Sequence, residues 1–205
     1  MGVISNGTTL LDAGAIDSGV PTGATTLIKT ITANNANVIQ FVHGSSNVVL
    51  DNTYSIYVFK FINIHADNDD VGFSFNFSID GGGNYNLAKT TTNTRAVHGE
   101  DAGEGNLNYR TNADLAQGTG NQVLGESCKG GNNDANLCGE LLLYNPSSTT
   151  FVKHFTYNIS NMTQGDDAEN VLCGGYINTT SAVNAFALTV GSGSWDGIIK
   201  LYGIK

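Results

Sequence analysis

The sequence contains little proline, little tryptophan and few charged residues. Of its 205 residues, two are proline, one is tryptophan and 13% are charged, whereas an average globular domain has roughly 25% charged residues. Two prolines exclude proline-rich disorder, and so little charge argues against long solvent-exposed helices, whose outer faces are polar. No stretch approaches the roughly 18 consecutive apolar residues of a membrane-spanning helix, so we expect no membrane insertion.

Positive charge is scarcer than negative charge. Nine Lys and Arg residues stand against eighteen Asp and Glu residues, and the formal net charge is −9. Binding to a nucleic-acid backbone depends on clustered cations that displace counterions, so we expect no nucleic-acid partner. The first residues lack the basic start and the apolar stretch of a secretory signal, and we expect synthesis in the cytoplasm of a host cell.

Cysteine is sparse and odd in number. The three cysteines, Cys128, Cys138 and Cys173, form no C-x-x-C pair, whereas the disulfide framework of a small secreted domain uses an even number. We therefore expect free thiols. A Cys128–Cys138 bridge that closes the glycine-rich segment between them stays open as an alternative.

Motifs that carry catalysis or bind a cofactor are also missing. The four histidines lack the spacing of a zinc site, no Gly-x-Ser-x-Gly occurs, and the glycine run at 81–83 precedes a strand rather than the helix that a phosphate cradle needs. We expect no enzymatic activity, no cofactor and no metal. Residues 67–70 resemble the start of a calcium loop without its glycine and distal glutamate, which leaves calcium binding there as an alternative to an ordinary acidic turn.

Alternation of apolar and polar residues predicts β-strands. Phe73, Phe75 and Phe77 alternate with small or polar residues over 71–79, which predicts a strand with one buried aromatic face. Turn-forming residues follow, so we interpret 85–92 as the second strand of a β-hairpin. Further strands are predicted at 25–31, 37–42, 48–50, 54–64, 140–145, 150–159, 171–178, 184–190 and 198–204.

Eight to ten short strands separated by turn residues favour an all-β fold, an antiparallel β-sandwich of the jelly-roll type. We assign this domain to residues 24–205. A turn or two of helix is predicted only at 111–117. The segment 99–139 has few large apolar residues, and we expect it to form long loops, which are usually functional when ordered.

Residues 1–23 are predicted to form an N-terminal arm. They combine flexible glycines with two isolated apolar pairs, which are too few to form a core but suit a groove on a partner. The residues we expect to attach to that partner are Val3, Ile4, Leu10 and Leu11.

Aromatic side chains supply the candidate surface-binding residues. Tyrosine and tryptophan rings stack on ligands such as sugars, although packing in a core or an interface is the alternative use of the same side chains. The candidates are Tyr85, Tyr109, Tyr176 and Trp195.

Several separated phrases of the chain resemble the virion structural proteins of tailed bacteriophages, chiefly from aquatic environments. The resemblance extends over nearly the whole chain and contains no catalytic motif, and the three cysteines are not expected in that family. The phrases are VISNGTTLLDAGAID, YVFKFINIHADND, FSIDGGGNYNLAKTTTNTRAVH, NADLAQGTG, LYNPSSTTFVKHF, GGYINTTSAVNAF and GIIKLYGIK.

The resemblance implies a non-enzymatic component of the virion, in first place a tail fibre or spike of the receptor-binding type. It further implies a homotrimer that contacts other virion proteins and a glycan or protein on the host surface. A capsid decoration or head-fibre protein is the first alternative. A free carbohydrate-binding module is the second alternative, and a hydrolase built on loop carboxylates is the third.

Overall fold

The computed structural model describes residues 25–103, 105–131 and 134–205, together with the backbone of three short N-terminal strands. Those strands are β1 (Val3–Ser5), β2 (Thr8–Asp12) and β3 (Ala15–Ile16), and they form an antiparallel sheet of their own. All regular structure in the described residues is β. Within this part of the chain there is no helix long and apolar enough to cross a membrane.

Twelve further strands build two larger antiparallel sheets from the described residues. They are β4 (Thr25–Ala36), β5 (Val38–Val42), β6 (Ile56–Ala66), β7 (Val71–Ser78), β8 (Lys89–Gly99), β9 (Gly105–Tyr109), β10 (Gln122–Cys128), β11 (Leu137–Tyr144), β12 (Lys153–Met162), β13 (Asp167–Ile177), β14 (Ala185–Val190) and β15 (Trp195–Ile204).

The strand order is that of a jelly roll with additions. The smaller sheet has the order β10-β7-β14-β5, and the larger has β4-β15-β6-β11-β12-β13-β8-β9. A jelly roll with strands B to I has sheets B-I-D-G and C-H-E-F. Assigning B to H to β5–β11 and I to β14 reproduces both orders, with the β12–β13 hairpin inserted between H and E and with β15 and β4 added beyond C. The predicted fold class is therefore confirmed.

The aromatic core lies between the two sheets. Phe73, Phe75 and Phe77 on β7 are fully buried, which confirms the predicted aromatic face. The alternation does not extend to 79, because Asn76 and Ser78 are also buried and Ile79, beyond the end of β7, is 39% exposed. Phe75 packs edge-to-face on Phe155 of the larger sheet at 5.6 Å between ring centroids, and Phe186 of β14 stacks on a ring of β6 at 4.2 Å. Such contacts across the sheets hold the sandwich together.

The predicted hairpin between 71–79 and 85–92 is wrong. Strand β7 pairs with β10 and β14, whereas β8 pairs with β13 and β9 in the other sheet. The connection from β7 to β8 does reverse at Asp80, whose carboxylate accepts hydrogen bonds from Ser78 Oγ at 2.6 Å and Asn84 N at 2.9 Å. The turn residues therefore marked the reversal correctly, but they carry no information about which sheet the next strand enters.

Three other local predictions differ from the structure. Residues 48–50 are not a strand, although Val48 and Leu50 are buried. Residues 111–117 form turns instead of a helix, and they end at Gln117 with φ 55°. The segment 99–139 contains β9 and β10 as well as loops. The sequence pattern does not predict β10, because a polar residue, Gln122, takes an inward position. There Gln122 Oε1 accepts a hydrogen bond from Thr91 Oγ1 at 2.7 Å, and its Nε2 donates to Ala113 O at 2.8 Å.

Candidate functional site

The outer face of the eight-stranded sheet carries the candidate site. Along β12 the odd-numbered residues are buried and the even-numbered residues from His154 to Ser160 are exposed. The same alternation holds for most of β8 and β13, as the two-residue repeat of a strand requires. Even-numbered side chains of neighbouring strands therefore meet on one solvent-facing surface.

A groove crosses this surface where β13 lacks a side chain. Gly174 lies directly opposite Thr156 of β12 and Thr92 of β8. Two adjoining depressions of about 400 and 410 Å³ share these three residues. We call this feature the Gly174 groove, and the residues that define it are Thr92, Thr94, Thr156, Asn158, Leu172, Gly174 and Tyr176.

Packing requires glycine at position 175 but not at position 174. A Cβ atom at Gly175, which points into the core, would lie 2.6 Å from Thr91 Cγ2 and 3.0 Å from a ring carbon of Phe155. A Cβ atom at Gly174 would meet only Thr92 Oγ1, at the ordinary distance of 3.8 Å. The sheet would thus accept a side chain at position 174, and the groove is open because the sequence has none there.

Fixed polar groups line the groove. Thr92 Oγ1 donates to Gly174 O at 3.1 Å, and Thr94 Oγ1 donates to Leu172 O at 3.2 Å. Thr92 Oγ1 also accepts a hydrogen bond from Gly174 N at 3.3 Å. A hydroxyl oxygen has two lone pairs, so Thr92 keeps one for a ligand, and Thr94 also keeps acceptor capacity. Asn158 Oδ1 accepts a hydrogen bond from Asn170 Nδ2 at 2.7 Å, which fixes the orientation of the Asn158 amide.

The groove carries little net charge. Glu140 is the one carboxylate among the described residues that line it. Glu140 Oε2 lies 3.1 Å from Lys60 Nζ, and both side chains are nearly half exposed. An exposed pair of this kind contributes at most about 1 kcal/mol to stability, but it neutralises the carboxylate.

Tyr176 closes one end of the groove in a fixed orientation. Its hydroxyl accepts a hydrogen bond from Gln117 Nε2 at 3.2 Å, and the same amide donates to Thr90 Oγ1 at 2.7 Å. Asn178 Nδ2 donates to Gln117 Oε1 at 2.6 Å. The ring of His154 lies 6.0 Å from that of Tyr176, tilted by 51°. Nothing in the sequence indicated Gln117, because it reaches Tyr176 from a turn 59 residues away.

Two of the four candidate aromatic residues lie on this outer face. Tyr176 borders the groove. Tyr109 lies on the edge strand β9 opposite Thr94, is half exposed, and donates its hydroxyl hydrogen to Asp114 Oδ2 at 2.6 Å. The structure therefore brings Tyr109 and Tyr176 to one surface, on either side of β8.

The other two aromatic candidates lie elsewhere, and the expectation for Trp195 is corrected. Trp195 is 0% exposed and packs edge-to-face on Phe73 at 5.8 Å, because the first residue of β15 faces the core. Tyr85 lies in the connection from β7 to β8. Burial raises the pKa of Tyr85, and its hydroxyl has no hydrogen-bond partner among the described residues.

The four candidate attachment residues lie in the N-terminal sheet. Val3 is opposite Leu11 in the pairing of β1 with β2, and Leu10 lies on the same strand as Leu11. Of these four side chains the structure describes Ile4, which is 64% exposed. Attachment through these residues stays a prediction.

The described residues do not support a disulfide or a calcium loop. All three cysteines are free, and burial raises the pKa of Cys128 and of Cys173 to about 12. Asp69 Oδ1 accepts a hydrogen bond from Gly130 N at 2.9 Å, and Asp67 accepts one from the Ser194 hydroxyl. These carboxylates stabilise loops, and in the described part of the chain no three His, Cys, Asp or Glu side chains are grouped so that they could hold a metal ion.

Comparison with known proteins gives no family. No family model and no curated protein matches this chain. Two solved structures align with it at low similarity. They are the crystal structure of the infectious bursal disease virus VP2 subviral particle (11% identity, TM-score 0.16, covering 100% of this chain and 46% of that chain) and the structure of infectious bursal disease virus Gt strain (14% identity, TM-score 0.14, covering 99% and 47%). The chain spans about half the length of these two chains.

Proposed function

We propose that this protein is a non-enzymatic structural component of a tailed-bacteriophage virion, of the tail-fibre or receptor-binding type. The phrases that resemble such proteins support the proposal, and jelly rolls are common among capsid and lectin domains. The observation that carries it is the division of the described chain into a sandwich and a separate N-terminal sheet, between which no strands pair.

The N-terminal sheet is the proposed attachment arm. Strands of three, five and two residues are too short to form a stable sheet alone in water, so a partner surface that covers them would stabilise them. The 64% exposure of Ile4 is consistent with an apolar contact left for that partner. In the proposed assembly, Val3, Ile4, Leu10 and Leu11 contact a neighbouring virion protein.

The proposed assembly is a homotrimer. In a closed cyclic oligomer every subunit contacts its neighbours through the same interface, so the assembly does not grow into an open polymer. Light scattering of the purified protein at micromolar concentration should give the trimer mass. A clean monomer in solution, together with no trimer in assembled particles, would contradict this part of the proposal.

Deletion of residues 1–23 tests the arm. The truncated protein should keep its melting temperature within a few degrees, because the sandwich has its own core, but it should lose incorporation into particles. Full-length Ile4→Asp is the matched variant, and it should also reduce incorporation. Unfolding of the truncated chain, or its normal incorporation, would overturn the assignment.

Electron microscopy of labelled particles separates the tail from the head. Label on the tail supports the receptor-binding type. Label on the head assigns the protein instead to the alternative of a capsid decoration or head-fibre protein. Absence of the protein from purified particles would leave the free carbohydrate-binding module.

A further inference from the structure

We propose that the Gly174 groove binds a neutral oligosaccharide. This inference rests on the proposed function only for the origin of the ligand: for a receptor-binding virion protein, the oligosaccharide would be part of a glycan of the host surface. Binding itself belongs to the isolated sandwich and requires neither the arm nor the particle. Three features of the groove lead to this ligand class.

The first feature is the unfilled space at position 174. Gly174 lies in the middle of the long strand β13, between two fully paired neighbours. Glycine weakens a strand interior, and it often marks a bulge, a tight bend, or a site where a ligand or another backbone approaches closely. Since packing within the chain does not demand glycine here, access for a ligand explains the residue better than the fold does.

The second feature is the chemistry of the lining. The hydroxyls of Thr92 and Thr94 offer acceptor capacity, because their hydrogens already bond backbone carbonyls, and the Asn158 side-chain NH2 group offers donors. Acceptors and donors together suit a ligand made of hydroxyl groups. An anionic ligand would meet the Glu140 carboxylate, and a cationic ligand would have to displace Lys60 from it. A peptide strand would find no open sheet edge here, because β12 and β13 are paired on both sides. β8 is covered by β9 over 94–98 and by backbone hydrogen bonds to residues 110–118 over 89–93.

The third feature is the pair of apolar surfaces at the two ends. Tyr176 offers a ring held by Gln117 at one end, and Leu172, 49% exposed, lies at the other. Sugar rings have apolar faces that stack on such side chains, and a ring already held in place loses little entropy on binding. From Leu172 to Tyr176 the strand extends roughly 14 Å, a length that accepts a short oligosaccharide.

The experiment uses the full-length protein on an array of neutral and acidic oligosaccharides. The best neutral ligand is then titrated by calorimetry. Gly174→Leu fills the groove and should weaken binding at least tenfold with little change in melting temperature. The matched control is Ala168→Leu, an exposed position of the same strand and face outside the groove, and it should bind as the wild type does.

The contribution of the Tyr176 ring to binding is tested separately from that of the unfilled space at position 174. Tyr176→Ala should weaken binding about tenfold, whereas Tyr176→Phe keeps the ring and should retain most of the affinity. The proposal is overturned if the array shows no neutral ligand, if binding is confined to acidic glycans, or if Gly174→Leu binds like the wild type. The chain without residues 1–23 should still bind the glycan, so this result and the incorporation result can fail independently.

Discussion

The two faces of β8, β12 and β13 use polar residues in opposite ways. On the inner face, Lys89 and Glu169 are almost completely buried, and each is held by partners within the chain. On the outer face, threonines at the matching even-numbered positions are open to solvent and carry no charge. The same three strands thus bury a lysine and a glutamate on the inner face, where they affect folding, and place neutral threonines on the outer face together with exposed His98 and His154.

The inner face has a buried ion network that ties the two sheets together. Arg95 Nε lies 3.0 Å from Glu169 Oε1, and Arg110, which pairs with Glu126 of β10, approaches the same oxygen at 3.8 Å. Burial raises the pKa of Glu169 against the lowering effect of Asn161 and the two arginines. Arg110 thereby links Glu126 of β10 to Glu169 of β13 across the sandwich.

The largest expected difference between the two faces is in the stability lost when an apolar side chain is truncated. Phe75→Ala should lower the free energy of unfolding by about 3–5 kcal/mol, because it leaves a cavity under four neighbouring rings. Leu172→Ala on the outer face should lower it by less than about 1 kcal/mol. Urea denaturation measures both, and similar losses would contradict the assignment of inner and outer faces.

Removal of one carboxylate from each face should give the next largest difference. Glu169→Ala should cost about 3 kcal/mol, because it removes the ion-pair partner of Arg95 and leaves Arg110 with Glu126 alone. Glu140→Ala breaks the exposed pair with Lys60 and should cost less than about 1 kcal/mol. If the two variants unfold at the same urea concentration, the Glu169 network has no stabilising role.

The burial of Lys89 predicts that the free energy of unfolding of the wild type, relative to a Lys89 variant, depends on pH. Its ammonium donates to Asn76 Oδ1 at 2.7 Å and Leu87 O at 2.8 Å, and burial lowers its pKa from 10.5 to about 8. Between these two pH values the unfolded chain holds a proton that the folded chain has lost, so unfolding becomes less favourable as the pH rises. Relative to Lys89→Met, the wild type should gain about 2 to 3 kcal/mol from pH 8 to pH 10.5.

The pH comparison is made between variants because other groups also titrate. Burial raises the pKa of Tyr57, Cys128 and Cys173 to about 12, which destabilises the folded state in alkali in every variant alike and cancels in the difference. A flat difference for Lys89→Met would show that its charge is not destabilised by burial.

The smallest expected effect on stability is at the groove. Thr156→Ala removes an exposed hydroxyl and should change the free energy of unfolding by no more than about 0.5 kcal/mol. Binding of the neutral oligosaccharide should nevertheless weaken several-fold in calorimetry. A loss of stability without a loss of binding would make Thr156 a structural residue.

Local patterns predicted the fold better than the site. The alternation at Phe73, Phe75 and Phe77 is a property of a single strand, so it could be seen in the sequence. The partner of that strand could not, since the turn at Asp80 only reverses the chain. The groove joins Thr92, Thr156 and Gly174, and its defining feature is a missing side chain. Two consecutive glycines inside a predicted strand were the one local signal that could have pointed to it.

The inserted hairpin of β12 and β13 has a consequence for how this surface can vary. In an eight-stranded jelly roll the position beside β8 belongs to β11, and the groove residues on β12 and β13 would not exist. The proposed binding surface takes five of its seven defining residues from this hairpin, which lies in the chain between β11 and β14, and takes Thr92 and Thr94 from β8. Exchange of that hairpin for another of the same register would alter the surface presented while the aromatic core and the remaining strand order stayed as they are.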